Sequence, residues 1–302
     1  SHAQRPMPYR TPEERFADLP DFPFAPHYVS VGADLRMHYV DEGTGAPILC
    51  LHGEPTWAYL YRHLIPPLVA EHRVVVPDFI GFGRSDKWTA VDDYSFARHY
   101  EALRTFVEAL DLSEITLVVQ DWGGLLGLAF AARQPERVAR LVVLNTFLPT
   151  GAEEKSPAFR QWRRFVERAP DLPIGTVVRR GFADSSRLSD AEAAAYEAPF
   201  PTADSKAGAV AWPLLVPMTP DAPGADAMRE TRARLAEWSK PAFVLFAPDD
   251  PILGGAREFF LDLLPTAREQ PDVVVDDAGH FLPDERGPTV ARHVREFVNR
   301  TA

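Results

Sequence analysis

The 302-residue sequence contains a single cysteine, Cys50, so no disulfide can form within the chain. It has no apolar run long enough to cross a bilayer and no secretory pattern of a basic segment followed by an apolar one. Excess positive charge is also absent. The net charge of −11 argues against nucleic acid or an anionic membrane as a partner, because both require a basic face. We therefore expect a cytoplasmic protein that binds neither.

The sequence shows no phosphate-binding loop, no cluster with metal-ligand spacing and no internal repeat. Gly81-x-Gly83 is too short a pattern to indicate a nucleotide site. We expect no cofactor and no metal. What is present is ordinary for a globular protein: 46% apolar and 25% charged residues, in a chain long enough for one large α/β domain with an insertion.

Short apolar runs alternate with segments of helical spacing along most of the chain. This alternation predicts an α/β fold with a mostly parallel central sheet flanked by helices. The predicted strands are Leu35–Asp41, Pro47–Leu51, Arg73–Val76, Ile115–Val119, Leu141–Leu144, Ala242–Phe246 and Asp272–Val275. The predicted helices outside the insertion lie near 57–70, 94–110, 125–133, 226–238, 256–264 and 289–299.

The alternation stops after Pro149. Residues 150–223 contain no clear strand, many prolines and helical segments such as Phe159–Arg168 and Asp190–Glu197. We interpret residues 149–223 as a helical cap and residues 1–148 and 224–302 as the core domain. A helical insertion of this kind would cover the carboxyl ends of the strands, where open α/β sheets bind their ligands.

The central motif is Val119-Gln120-Asp121-Trp122-Gly123, which follows an apolar strand and precedes an alanine-rich helix. This layout is typical of a nucleophile elbow, with Asp121 in the position of the usual serine. The motif alone leaves two roles open for Asp121, since aspartate is also a common helix cap. Two further residues favour catalysis: Asp250 and His280 each follow a predicted strand. The chain order nucleophile, acid, histidine is that of the α/β-hydrolase triad.

Four segments carry a resemblance that extends over nearly the whole chain: His52–Trp57, Asp78–Asp86, Val119–Gly124 and Asp277–Phe281. They resemble the motifs of haloalkane dehalogenases, and Asp250 suits the subfamily whose triad acid follows the strand after the cap. The resemblance implies displacement of halide by the Asp121 carboxylate. Hydrolysis of the resulting alkyl ester by water would follow, activated by His280 with Asp250 as its partner.

The resemblance also assigns roles around this triad. The backbone N–H groups of Glu54 and Trp122 would form the oxyanion hole, and the indole N–H groups of Trp122 and Trp162 would bind the halide. Ala198–Pro201 resembles a cap element that lines the substrate cavity of the subfamily. The remaining expected pocket residues are Leu125, Phe159, Trp212, Pro213, Val216, Ile252 and Leu253.

Three other functions use the same fold. An epoxide hydrolase would need two cap tyrosines, whereas residues 149–223 contain only Tyr196. A fluoroacetate-type dehalogenase would place an arginine close after the nucleophile, where this chain has Trp122-Gly123-Gly124. A non-catalytic receptor would commonly have lost a triad member. The expected partners are therefore a small apolar halogenated substrate, water and the halide product, and we expect the protein to be a monomer.

Overall fold

A computed structural model describes residues 7–302; the first six residues of the predicted core domain lie outside the described part. Seven strands form one sheet in the order β1-β2-β4-β3-β5-β6-β7. Strands β3 to β7 pair in parallel, while β2 is antiparallel to both β1 and β4. The strands are β1 His27–Ser30, β2 Arg36–Glu42, β3 Pro47–Leu51, β4 Arg73–Pro77, β5 Ile115–Val119, β6 Val138–Val143 and β7 Ala242–Val244.

Eleven α-helices occur in the described residues, and four of them, α4 to α7, lie between β6 and the helix before β7. The helices are α1 Ile65–Leu68, α2 Phe96–Ala109, α3 Trp122–Arg133, α4 Pro157–Arg168, α5 Ile174–Arg180, α6 Asp190–Glu197, α7 Ala207–Leu215, α8 Ala225–Leu235, α9 Arg257–Leu263, α10 Leu282–Glu285 and α11 Gly287–Arg300. Among these, no helix is long and apolar enough to pass through a bilayer.

The core explains why the sequence forms this sheet. All five residues of β3 and all five of β5 are buried, as expected for parallel strands covered on both faces by helices. Helix α3 is buried along nearly its whole length and follows β5 directly. Gly123 allows this close approach, because a Cβ atom there would lie 2.4 Å from the carbonyl oxygen of Leu51.

Two predicted elements were wrong and one strand was missed. The predicted helix near residues 57–70 is a 3₁₀ segment, Ala58–Tyr61, followed by the single turn α1, whose two prolines lack the N–H groups that a longer helix needs. The predicted strand Asp272–Val275 forms no ladder; Val275 makes one backbone hydrogen bond, to Phe246. Strand β1 was not predicted, and it pairs with β2 at the edge of the sheet.

The insertion is tied to the core by a buried cluster of charged and hydroxyl groups. Arg62 is fully buried and donates two hydrogen bonds to Asp284, at 2.7 and 3.1 Å. It also pairs with Glu192 of α6. Tyr196, on the same helix, donates its hydroxyl to Asp284 at 2.6 Å. The pairs Arg62–Glu192 and Tyr196–Asp284 thus join the core to the insertion.

Candidate active site

Asp121 lies between β5 and α3 with a φ of 53° and a ψ of −129°. This conformation is rare for a residue with a side chain and persists only where neighbouring contacts enforce it. Here the Asp121 N–H donates to the Asn145 carbonyl at 2.8 Å, and the Asp121 carbonyl accepts the Thr146 hydroxyl at 2.6 Å. The sharp turn directs the carboxylate toward the backbone of residues 53 and 54.

Both backbone N–H groups expected in the oxyanion hole converge on one oxygen of this carboxylate. Asp121 Oδ2 accepts the N–H of Glu54 at 2.9 Å and the N–H of Trp122 at 2.6 Å. A glycine at position 53 is required for this approach, because a Cβ atom there would lie 2.3 Å from the Cβ of Asp121. The capping role left open by the sequence is therefore present, since Asp121 accepts a hydrogen bond at the start of α3.

His280 joins the two carboxylates of the predicted triad. Its Nδ1 lies 2.7 Å from Asp250 Oδ2 and its Nε2 lies 3.1 Å from Asp121 Oδ1. Asp250 is buried and also accepts the N–H of Ile252 at 2.9 Å. Oδ1 of Asp121, the oxygen that faces His280, is thus distinct from the oxygen held by the two amides.

The two carboxylates determine the charge of His280. Burial by itself would lower the pKa of His280, but the charges of Asp250 and Asp121 and their hydrogen bonds outweigh it and raise the pKa to about 10. Burial raises the pKa of Asp250, while the charge and hydrogen bond of His280 lower it more, so the net shift is downward. At neutral pH the unreacted site therefore holds a charged imidazole between two carboxylates.

The sequence did not identify two residues that support the triad. Asn145 donates to Asp250 Oδ2 at 3.1 Å and pairs through both its amide atoms with the backbone of Ala247. Gln120 donates to the carbonyl of His280 at 3.0 Å, and its Nε2 lies 3.1 Å from His280 Nε2. Asn145 could have been found, because it is a polar residue just beyond an apolar strand, as Asp121 and Asp250 are.

A cavity of about 680 Å³ opens beside Asp121 and His280 and lies between the core and the insertion. Trp122 lines it from the start of α3, and Trp162 lines it from α4. Most of the expected pocket residues also line this cavity: Leu125, Phe159, Pro213, Val216, Ile252 and Leu253. Apolar side chains that the sequence did not identify complete the wall: Phe147, Phe165, Val177 and Phe281.

Trp212 is the exception among the expected pocket residues. It does not line the cavity but lies fully buried behind Trp122, with the two rings nearly parallel and their centroids 5.5 Å apart. The Trp212 ring also stacks on Phe82, with ring centroids 4.0 Å apart. The segment Ala198–Pro201 does not line the cavity either; Phe200 packs against Phe82. Trp212 therefore supports the cavity wall from behind, through its contact with Trp122.

The side chain of Glu54 is unusual among the groups lining the cavity. It is buried, and neither carboxyl oxygen has a hydrogen-bond partner within residues 7–302. Burial and the nearby charge of Asp121 raise its pKa well above the ordinary value. Both effects favour the neutral form of this carboxyl group, which lies next to the proposed nucleophile.

One group of side chains elsewhere has the composition of a metal site. Asp21, His63 and Glu192 bring three potential ligand atoms within 4.8 Å of one another, outside the cavity. Glu192 is already engaged, however, because its carboxylate accepts hydrogen bonds from Arg62 and from the backbone N–H of Ser189. The cluster is better explained by ion pairing between the core and the insertion.

Sequence comparison finds relatives that match nearly the full length of the chain. The sequence profile of the "alpha/beta hydrolase fold" matches residues 46–286. A haloalkane dehalogenase of Mycolicibacterium paratuberculosis is 48% identical over 94% of this chain and 96% of its own length. One from Psychrobacter cryohalolentis is 42% identical over 96% of this chain and 97% of its own.

Solved structures agree with the sequence relatives. Haloalkane dehalogenase DpaA from Paraglaciecola agarilytica superposes with a TM-score of 0.89 at 39% identity, over 95% of this chain and 97% of that one. Its structure is described as tetrameric. The predicted α/β-hydrolase fold is confirmed, and the chain belongs to the haloalkane dehalogenases, hydrolases that act on carbon–halide bonds.

Proposed function

We propose that the protein hydrolyses haloalkanes to a primary alcohol, halide and a proton through a covalent alkyl ester on Asp121. The observation that carries this proposal is that the two oxygens of Asp121 have different hydrogen-bond partners. Oδ2 is held by two amides, whereas Oδ1 has no amide partner among residues 7–302 and is the oxygen available to attack carbon. A saturated carbon–halogen bond has no carbonyl, so displacement by an already ionised carboxylate is the direct route.

In the first step, the Oδ1–carbon bond forms while the carbon–halogen bond breaks, and the halide leaves with the bonding electrons. Oδ2 becomes the carbonyl oxygen of the ester. It then already lies against the N–H groups of Glu54 and Trp122, where negative charge develops when water attacks the ester carbon. The oxyanion hole is therefore occupied by the oxygen that it will later stabilise.

In the second step, His280 removes a proton from the attacking water, and the alcohol departs with a proton from His280. Alkylation prepares this step, because it removes the charge of Asp121, one of the two that raise the pKa of His280. The imidazole then releases its proton to solvent, which supplies the proton among the products, and becomes the neutral base that hydrolysis requires. Asp250 keeps Nδ1 engaged, so that Nε2 is the atom that acts on water.

The halide is proposed to leave between Trp122 and Trp162, both of which line the cavity. An indole N–H is a donor without acceptor capacity, so it suits an anion in an apolar site. Trp212 supports Trp122 from behind through ring stacking and is not itself at the cavity surface. Among the described residues, the indoles of Trp122 and Trp162 are therefore the two that can donate a hydrogen bond to the leaving halide.

The alternative of an epoxide hydrolase has less support. Its reaction needs tyrosine hydroxyl groups in the cavity to bind the epoxide oxygen, but Tyr196 is fully buried and its hydroxyl donates to Asp284. We further propose that the chain acts in the cytoplasm as a monomer and without a cofactor, metal, nucleic acid or membrane partner. The cap is proposed to comprise residues 149–223, which contain α4 to α7.

A halide-release assay tests the proposed function. We expect halide and alcohol in equal amounts from 1,2-dibromoethane and 1-bromobutane, with no turnover of an epoxide or of fluoroacetate run in parallel. Turnover of the epoxide without halide release from either bromide would replace this function with the alternative. The same assay at several protein concentrations, beside size-exclusion chromatography, tests the proposed monomer.

Replacing Trp162 by phenylalanine tests the halide site. The Trp162→Phe change keeps the ring but removes one donor to the developing anion, so we expect halide displacement to slow by about tenfold. This is less than for a compact oxyanion, because a halide is large and diffuse. Hydrolysis of the preformed ester should change little, and saturable quenching of tryptophan fluorescence by bromide should weaken.

The matched control is Trp238→Phe, since Trp238 lies beyond α8 and does not line the cavity. It should lower the total fluorescence without changing the bromide concentration at half-maximal quenching. Wild-type displacement and unchanged quenching in Trp162→Phe would remove Trp162 from the halide site.

A further inference from the structure

The loop that carries His280 rests on the insertion as well as on the core. His280 donates its backbone N–H to the carbonyl of Gly181 at 2.9 Å. Gly279 lies so close to the same carbonyl that a Cβ atom there would be 2.1 Å from the oxygen. Gly181 ends α5 and therefore belongs to the helical insertion. The position of the base thus depends on how the segment after α5 is held.

One carboxylate holds both segments. The side chain of Glu285 is fully buried, and its Oε1 accepts the backbone N–H of Gly279 and that of Ala183, each at 2.8 Å. Its Oε2 accepts the N–H of Asp184 at 2.9 Å and the guanidinium of Arg187 at 2.8 Å. Four donors therefore use the hydrogen-bonding capacity of this single carboxylate.

We infer that Glu285 is a positioning residue for His280. This inference rests on the proposed function, because it assumes that His280 activates the hydrolytic water. Glu285 touches neither Asp121 nor the cavity. It acts through Gly279, the residue directly before the base, and through the turn at 183–184 against which the loop lies. It therefore fixes where Nε2 points in the second step.

Displacement and hydrolysis should respond differently to the loss of the Glu285 carboxylate. Displacement needs Asp121, whose geometry is set by Asn145, Thr146 and the amides of residues 54 and 122. Hydrolysis needs His280 Nε2 within hydrogen-bond reach of water and aligned with the ester. A shift of about 1 Å in such a group costs on the order of 10²-fold in rate. A purely structural role would instead slow both steps together.

The experiment is a single-turnover measurement with 1,2-dibromoethane, in which rapid acid quench separates halide release from alcohol formation and mass spectrometry detects the alkylated protein. In Glu285→Gln an NH₂ group replaces one carboxylate oxygen, and it cannot accept the hydrogen bonds that this oxygen accepted. We expect displacement within about twofold of wild type, hydrolysis slowed by about 10- to 100-fold, and alkylated enzyme accumulating. Glu285→Asp, which keeps the charge but shortens the reach, should shift the same step by a smaller factor.

The matched control is Glu197→Gln. Glu197 also accepts a backbone N–H, that of Gly175 at 2.9 Å, and a cation, Lys206 at 2.7 Å, but both partners lie within the insertion. Glu197→Gln should leave the rates of displacement and hydrolysis within about twofold of the wild-type rates. Equal slowing of both steps in Glu285→Gln, no slowing, or failure of both Glu285 variants to fold would overturn the positioning role.

His280→Gln serves as the reference in the same experiment. If it forms no alkylated protein, the covalent route itself is wrong. If it accumulates alkylated protein while Glu285→Gln does not, only the positioning role of Glu285 is wrong.

Discussion

Asp121→Ala should abolish halide release from every haloalkane that the wild type converts. The change removes the oxygen that would attack carbon, and no other carboxylate is placed between the amides of Glu54 and Trp122. We expect a loss of roughly 10⁴-fold or more, which is the scale on which removal of a nucleophile acts. Halide release per enzyme, with the substitution verified by mass, is the measurement.

The matched control for this change is Asp249→Ala. Asp249 lies beside the triad acid Asp250 in sequence but is exposed. It should keep wild-type turnover and the same thermal midpoint. Alanine is a better probe than asparagine at position 121, because slow hydrolysis of asparagine to aspartate would restore activity. Substantial turnover by Asp121→Ala would place the nucleophile elsewhere.

His280→Gln should separate the two chemical steps. Displacement by Asp121 does not need a base, so the variant should still release about one equivalent of halide per enzyme and then stop. Steady-state turnover should fall by roughly 10²- to 10⁴-fold, which is the usual contribution of a general base. The protein should gain the mass of one alkyl group on the peptide that contains Asp121.

The same experiment also tests whether the positive charge of His280 matters for the first step. Because its pKa is about 10 in the unreacted site, the wild-type imidazole is charged when substrate arrives. Glutamine removes that charge, so the burst itself tests whether the charge assists displacement. His293→Gln is the control, because His293 lies on α11 and does not line the cavity. An unmodified protein after a full burst would contradict a covalent intermediate.

The sequence predicted that Asp121, Asp250 and His280 lie together, because this prediction depends only on chain order and strand ends. In a parallel sheet the carboxyl ends of the strands meet at one edge, so polar residues that follow separate strands come together. Asp121 and Asp250 follow β5 and β7 in this way, and His280 meets both. The capping role of Asp121 is compatible with the proposed catalytic role, since its side chain accepts the Trp122 N–H and also faces His280.

What the sequence could not predict depends on packing between distant segments. The contacts of Gln120 and Asn145 with the triad join residues more than 100 positions apart. Trp212 was expected at the cavity surface, and only its packing against Phe82 and Trp122 shows that it lies behind the cavity wall. The error at α1 has a different origin, because the two prolines that shorten this helix are visible in the sequence and the prediction followed the local apolar spacing instead.

The buried cluster around Arg62 has a consequence for exchanging caps among relatives. The guanidinium belongs to the core segment, whereas Glu192 and Tyr196 belong to the insertion and share Asp284 with it. A foreign insertion without a matching carboxylate and hydroxyl would leave Asp284 and Arg62 short of partners. Loss of one partner from a buried ion pair typically costs about 3–5 kcal/mol, a large part of the stability of a domain. A chimeric enzyme should therefore take Arg62, Asp284, Glu192 and Tyr196 from the same parent.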